Sequence, residues 1–133
     1  MAITYHHAPA ESSHVKGNHE KSIEYFELSI SIASSQNWHA ETLYAYHPLI
    51  MLFAAEGRFE DANAHLERAE LHAVDNVKNL AHVMALQAYI FYHQGRVGEA
   101  ESEYLHAADT FEKIGNTVNA EMCWKSYSSL DKT

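Results

Sequence analysis

The sequence predicts an all-α fold, a stack of antiparallel helix pairs, and three observations lead to it. A glycine-led phrase occurs three times, beginning at Gly17, Gly57 and Gly95. Self-similarity at this period, roughly 40 residues, is typical of helical repeat arrays. Apolar residues recur at helical spacing between the phrases, and the chain of 133 residues contains only 5 glycines and 2 prolines. A hydrophobic content of 47% is sufficient for a packed core.

Six helices are expected, each bounded by a polar or glycine-containing turn. Residues 1 to about 16 show no clear period and are expected to form a flexible lead-in, so the repeat domain is expected over residues 17–133. The apolar spacing predicts helices over about 18–34, 38–56, 59–74, 77–94, 97–114 and from about 117 to near the C-terminus. Gly57 and Gly95 stand where a glycine in the left-handed conformation would end a helix. Because the turns are short, each helix is expected to pack antiparallel against its neighbour.

Small residues recur at matching places in two of the phrases. The alanines at equal offsets from their glycines are Ala62 and Ala69 in one phrase and Ala100 and Ala107 in the next. Alanine is the best helix former, which is one explanation of its presence. Recurrence at the same offset favours a packing role instead, because a small side chain lets two helices approach closely.

The amino-acid composition limits which kinds of molecule the chain can bind and in which cellular compartment it is expected. The net charge of −9 argues against nucleic acid and anionic membranes as partners, because binding to both depends on clustered Lys and Arg. The acidity serves solubility, or it favours a basic or apolar peptide as partner. The chain contains no run of about 20 apolar residues and no signal-peptide pattern. Cys123 is the only cysteine, which suits a reducing compartment, so we expect a soluble, cytoplasmic protein.

The repeated phrases resemble the tetratricopeptide repeat. In that family the second helix of each pair opens with glycine, an aromatic residue, alanine, an aromatic residue or leucine, and a second alanine. The chain matches this pattern at Gly57, Phe59, Ala62, Leu66 and Ala69, and again, with valine in the aromatic place, at Gly95, Val97, Ala100, Tyr104 and Ala107. The phrase at Gly17 matches loosely, and the first-helix phrase of the family is degenerate here. The period is longer than the one usual for the family and is similar to that of a long-period subtype found in scaffold arrays and in sensor regions of signalling ATPases.

The resemblance implies a right-handed superhelix, or α-solenoid, in which the first helix of each pair lines a concave groove. In this family such grooves bind a peptide or a helix of another protein. The residues expected on the concave face are Tyr44, His47, Met51, His82, Tyr89, Tyr92 and Lys125. Tyrosine and methionine suit recognition, since they bury a large area and keep a polar or adaptable end. The alternative, that the tyrosines pack against neighbouring helices, is left open by the sequence.

A protein–protein interaction module is the expected function, and two alternatives accompany it. The clear pattern begins with a second-helix phrase and ends with a first-helix phrase. We therefore expect either a fragment of a longer array or a homo-oligomer formed through the terminal half-repeats. The first alternative is accordingly a self-associating structural or scaffold repeat. The second is a sensor fragment of a larger signalling ATPase.

Catalytic and metal-binding patterns are missing from the sequence. It contains no phosphate loop, nucleophile elbow or His-Glu-x-x-His helix, so neither enzymatic activity nor a cofactor is expected. His65 and His72 are separated by about two helical turns, which is roughly 10 Å at about 1.5 Å per residue. That distance is too long for two ligands of one ion, and no metal site is expected.

Overall fold

The structure, a computed structural model, describes the backbone of residues 12–130 and the side chains of residues 18–130. All regular secondary structure in this range is helical, which confirms the predicted all-α fold class. The described helices are α1 (Ser12–Ser35), α2 (His39–Ala55), α3 (Phe59–Leu71), α4 (Val77–His93), α5 (Val97–Lys113) and α6 (Thr117–Ser128).

The predicted helix ends agree closely with the observed ones, except at the start of α1. This helix begins at Ser12, so it includes residues 12–16, which the sequence pattern assigns to the flexible lead-in. Residues 1–11 of the expected lead-in lie outside the described residues. The sequence pattern starts the helix only at about residue 18, because residues 1 to about 16 show no clear apolar period and Gly17 follows them. A single glycine inside a helix costs only about 1 kcal/mol relative to alanine, which is too little to end a helix that continues on both sides.

Four of the five turns between the described helices share one backbone geometry. Each has a residue with a positive φ angle just beyond the helix: Asn37 at 59°, Gly57 at 76°, Gly95 at 79° and Gly115 at 77°. After α2, the amide of Gly57 donates to the Ala54 carbonyl at 3.1 Å, and the amide of Arg58 donates to the Phe53 carbonyl at 2.8 Å. These two bonds define a Schellman motif, and the predicted left-handed glycines at positions 57 and 95 are confirmed.

The geometry of these turns fixes the direction of each helix. In all four, the residue after the left-handed position is already the N-cap of the next helix, so the connection between the two helices is very short. Consecutive helices are in contact and reverse direction, and α2 also packs against α4. Helices α2, α4 and α6 therefore run in the same direction. A right-handed superhelical twist of the stack stays a prediction from the resemblance.

The core is built from two apolar clusters that meet at α4. The larger one joins α1 to α4, and its most deeply buried side chains include Leu49, Ile50 and Phe53 of α2. The smaller one joins α4, α5 and α6 around the buried Phe111 ring. Because α4 contributes to both clusters, its position determines how α2 and α6 are placed relative to each other.

The recurrent alanines lie where helices approach each other. Ala62, Ala69, Ala100 and Ala107 are all fully buried. Ala62 and Ala69 belong to the larger core cluster, and Ala107 belongs to the smaller one. The packing role that their spacing predicts is therefore confirmed, since a larger side chain at any of these positions would have no free space.

Two equivalent turns, after α2 and after α4, are each stabilised by an arginine. The guanidinium of Arg58 lies 4.6 Å from the centroid of the Phe53 ring, and that of Arg96 lies 4.4 Å from the Phe91 ring. Each arginine also donates to a carboxylate on the first turn of the helix that follows it. Cation–π contacts of this kind contribute roughly 0.5–1 kcal/mol at exposed sites. The two turns are thus structural copies of each other, separated by one repeat of the sequence pattern.

The left-handed turns predict a difference between two glycine substitutions. Gly57→Ala is expected to lower the free energy of unfolding by about 1–2 kcal/mol, because a side chain disfavours the left-handed conformation. A Cβ atom would meet nothing within 4 Å at Gly57, or at the helical Gly98, so steric contact does not distinguish the two sites. Gly98→Ala, the matched control, is expected to leave stability unchanged or to raise it by up to about 1 kcal/mol. Urea unfolding followed by circular dichroism measures both, and equal destabilisation would contradict the turn geometry.

Candidate functional site

An open groove of about 760 Å³ lies on the face formed by α2, α4 and α6. Its volume falls within the range of protein ligand sites, roughly 300–1,000 Å³. Helix α5 lies behind this face and contributes Tyr104 and Phe111 to the lining. The other lining residues are Ala40, Leu43, Tyr44, His47, Met51, Lys78, Asn79, His82, Val83, Ala85, Leu86, Tyr89, Tyr92, Asn119, Met122, Cys123, Ser126, Ser129 and Leu130.

The structure brings together six of the seven residues that the sequence predicts for the concave face. Those that line the groove are Tyr44, His47, Met51, His82, Tyr89 and Tyr92. Lys125 is exposed on α6 and does not line the groove. Consecutive residues of a helix are about 100° apart, and the neighbouring Ser126 takes the inward position instead.

Two histidines approach each other across the contact between α2 and α4. The ring centroids of His47 and His82 are 6.2 Å apart, and the His82 ring lies 4.9 Å from that of Phe111 in an edge-to-face arrangement. Burial, with the nearby His82 as the second cause, lowers the pKa of His47 to about 4. Burial also lowers the pKa of His82, with Lys78 as the second cause. Both imidazoles are therefore neutral at pH 7.

Burial also raises the pKa of two phenols and one thiol in the groove. Burial raises the pKa of Tyr104 to about 12, although a hydrogen bond with the Ser126 side chain opposes this rise. Burial raises the pKa of the Cys123 thiol to about 11. It also raises the pKa of Tyr89, with Tyr92 as the second cause. A protonated thiol and protonated phenols do not act as nucleophiles, so these groups provide surface and hydrogen bonds, without activated chemistry.

The groove differs in charge from the rest of the chain. The sequence contains 18 Asp and Glu residues, and none of those within residues 18–130 lines the groove. Lys78, in the first turn of α4, is the one Lys or Arg in the lining. A basic partner would find no carboxylate here with which to pair. The site suits an apolar surface better, because aromatic and aliphatic side chains dominate its walls.

One histidine pair was not visible in the sequence. The Nδ1 atoms of His39, at the start of α2, and His72, at the end of α3, are 2.9 Å apart and share a hydrogen bond. Burial lowers the pKa of His72, and the neighbouring His39 adds to this effect. His65 instead has its Nδ1 atom 2.7 Å from the backbone carbonyl of Asp61. In the described part of the chain, no three His, Cys, Asp or Glu residues come close enough to hold a metal ion.

Comparison with known proteins does not place this chain in a family. The chain matches no protein-family model, and comparison with curated proteins and with solved structures finds no match. The tetratricopeptide resemblance therefore stays a prediction based on the repeated residues. Between residues 12 and 130, no helix has both the length and the apolar character required to cross a bilayer.

The lowered pKa of His47 predicts that the folded chain loses stability on acidification. His47 has a pKa of about 4 in the folded chain, below the ordinary value of 6.5, so the unfolded chain binds a proton first as the pH falls. The stability that the neutral His47 contributes is fully present above about pH 6.5, and it is lost as the pH falls towards 4. Between pH 7 and pH 5 the free energy of unfolding is expected to fall by on the order of 1–2 kcal/mol from this residue.

Replacement of His47 is expected to remove that part of the pH dependence. Urea unfolding of His47→Gln at pH 7, 6 and 5 would give a smaller decrease than that of the unsubstituted chain. The control is His106→Gln, because His106 is exposed on α5. If both variants lost stability on acidification as steeply as the unsubstituted chain, the lowered pKa of the half-buried His47 would be refuted.

Proposed function

We propose that this chain is a protein–protein interaction module whose groove binds an amphipathic helix or an extended peptide of a partner protein. One observation carries the proposal: a groove of about 760 Å³ with four tyrosines and two methionines, and without a carboxylate, in a chain of net charge −9. An acidic protein that keeps one face neutral and apolar has a surface suited to an apolar partner.

The accessible residues of the groove are of the types that protein interfaces favour. Tyr44, Tyr92 and Met122 line the groove and are exposed, so a partner can reach them from solvent. Tyrosine combines an apolar ring with a hydroxyl that bonds to backbone, and methionine adapts its shape to the surface it meets. Interfaces are enriched in aromatic residues and methionine and depleted in carboxylates. This composition supports recognition by apolar anchors with few fixed ionic contacts.

The partner is therefore expected to be apolar at the contact. An amphipathic helix presents anchors at positions i, i+3 or i+4, and i+7, and lays them into a groove between helices. Among the lining residues, Lys78 is the one Lys, Arg, Asp or Glu, so a basic segment finds no carboxylate in the groove to pair with. We also propose a cytoplasmic location, where the buried Cys123 thiol would stay reduced.

Selection from a random peptide library displayed on phage, with the folded chain as target, tests this function. Ala85 lines the groove on α4, and Ala85→Trp is expected to fill it. Ala55→Trp places the same ring at an exposed position of α2 outside the lining. Peptides enriched on the unsubstituted chain should carry apolar anchors at helical spacing and should bind Ala55→Trp equally well. They should lose at least tenfold in affinity for Ala85→Trp, which corresponds to about 1.4 kcal/mol or more.

Two results would refute the groove as the binding site. The first is a set of enriched peptides that bind Ala85→Trp as tightly as Ala55→Trp. The second is a change of amide NMR shifts on peptide addition that is confined to residues outside the groove. Circular dichroism of both variants confirms beforehand that their helix content is unchanged.

A further inference from the structure

Helix α1 carries an apolar stripe on the side that faces solvent. Tyr25 is 60% exposed, Leu28 is 60% exposed and Ile32 is 52% exposed. Their spacing of i, i+3 and i+7 places them on one face of the helix. A different face of α1 holds Ile23 and Ala33, which are buried. Helix α1 is thus apolar on two faces. The rest of the chain covers only the face of Ile23 and Ala33.

An uncovered apolar stripe of this kind marks a contact surface. A surface helix normally has polar residues opposite its buried face, and a helix with apolar residues on both sides is usually covered on both. Tyr25, Leu28 and Ile32 stand in line over two turns of α1, with the exposed Lys21 one turn before Tyr25 and the exposed Glu24 and Glu27 beside them. The stripe therefore needs an apolar counterpart that the described chain does not place against it.

The groove has the properties that complement this stripe. A groove between helices accepts apolar anchors at i, i+3 and i+7, which is the spacing of Tyr25, Leu28 and Ile32. Glu24 and Glu27, which precede and follow Tyr25 along α1, are both exposed. The groove contributes Lys78 and no carboxylate, so the acids of α1 meet attraction and no like charge there. By contrast, two copies of the stripe placed against each other would bring these glutamates together.

We propose that the groove of one molecule binds the α1 stripe of a second copy of this chain. The inference rests on the proposed function and names the occupant of the groove. Because stripe and groove are different surfaces, the contact is heterologous, and each bound pair keeps one free stripe and one free groove. The chain therefore assembles head to tail and does not stop at a two-fold dimer. Three anchors make a small interface, so the chain is expected to be monomeric near ~1 μM and associated at roughly several hundred μM.

A mixing experiment with two blocked variants tests the head-to-tail contact. Leu28→Asp breaks the stripe and leaves the groove intact, while Ala85→Trp fills the groove and leaves the stripe intact. Each variant alone is expected to stay monomeric at concentrations where the unsubstituted chain associates. An equal mixture of the two is expected to form a heterodimer with twice the chain mass of 15.1 kDa, and nothing larger. Sedimentation velocity distinguishes these species.

Matched controls separate the contact from general surface effects. Leu71→Asp changes another exposed leucine, and Ala55→Trp adds the ring outside the groove, so both are expected to associate like the unsubstituted chain. Met122→Glu serves as a second groove variant, because Met122 is exposed and its replacement spares the core. It is expected to behave as Ala85→Trp does in the mixture with Leu28→Asp.

Two outcomes would overturn the inference. One is an unsubstituted chain that remains monomeric at roughly several hundred μM. The other is an unsubstituted chain that associates while Leu28→Asp also associates alone, which would place the contact elsewhere. Neither outcome bears on the groove as a peptide site, because peptide selection tests that function at concentrations where the chain is monomeric. Loss of peptide binding to the groove would refute the proposed function instead.

Discussion

The fold depends on a left-handed residue placed just after a helix. Such a residue, at Asn37, Gly57, Gly95 or Gly115, closes one helix with a Schellman motif, and the next residue already caps the following helix. The connection between the two helices is then so short that the chain must reverse direction. The turn between α3 and α4 has no such residue, and α4 is held there by its packing against α2 and α3. Helix α6 joins α4 through the smaller apolar cluster, so α2, α4 and α6 together form the face that carries the groove.

The groove side chains that are shielded from water are kept in their uncharged forms. Burial keeps His47 and His82 neutral, and it keeps the Tyr104 phenol and the Cys123 thiol protonated. The carboxylates of the described residues lie outside this lining. A surface of this kind gains free energy from apolar contact, at roughly 25 cal/mol per Å² of buried apolar area, and gains little from ionic pairing. Recognition of an apolar helix, whether from a partner or from a second copy of the chain, is the function that these properties favour.

Local sequence signals predicted most of the fold, because helix periodicity and turn glycines act over a few residues. Six groove residues were also predictable, since their place within a repeated helix pair determines the side they face. The start of α1 was missed because residues 12–16 show no clear apolar period, and a single internal glycine costs too little to end a helix. Lys125 does not line the groove, where the neighbouring Ser126 takes the inward place. The contact between His39 and His72 joins residues far apart in the sequence, and only the packing of α2 against α3 creates it.

Helices α2 and α4 meet side by side with neutral rings between them, and ring-to-ring nuclear Overhauser effects test this arrangement most directly. We expect cross-peaks from the His82 ring to both His47 and Phe111, since these centroids lie 6.2 Å and 4.9 Å away. We also expect that the His47 shift does not titrate between pH 8 and pH 6, because its pKa is about 4, in contrast to an exposed histidine with a pKa near ~6.5. Absent cross-peaks between these rings, together with a His47 that titrates like an exposed imidazole, would contradict the parallel arrangement and the groove built on it.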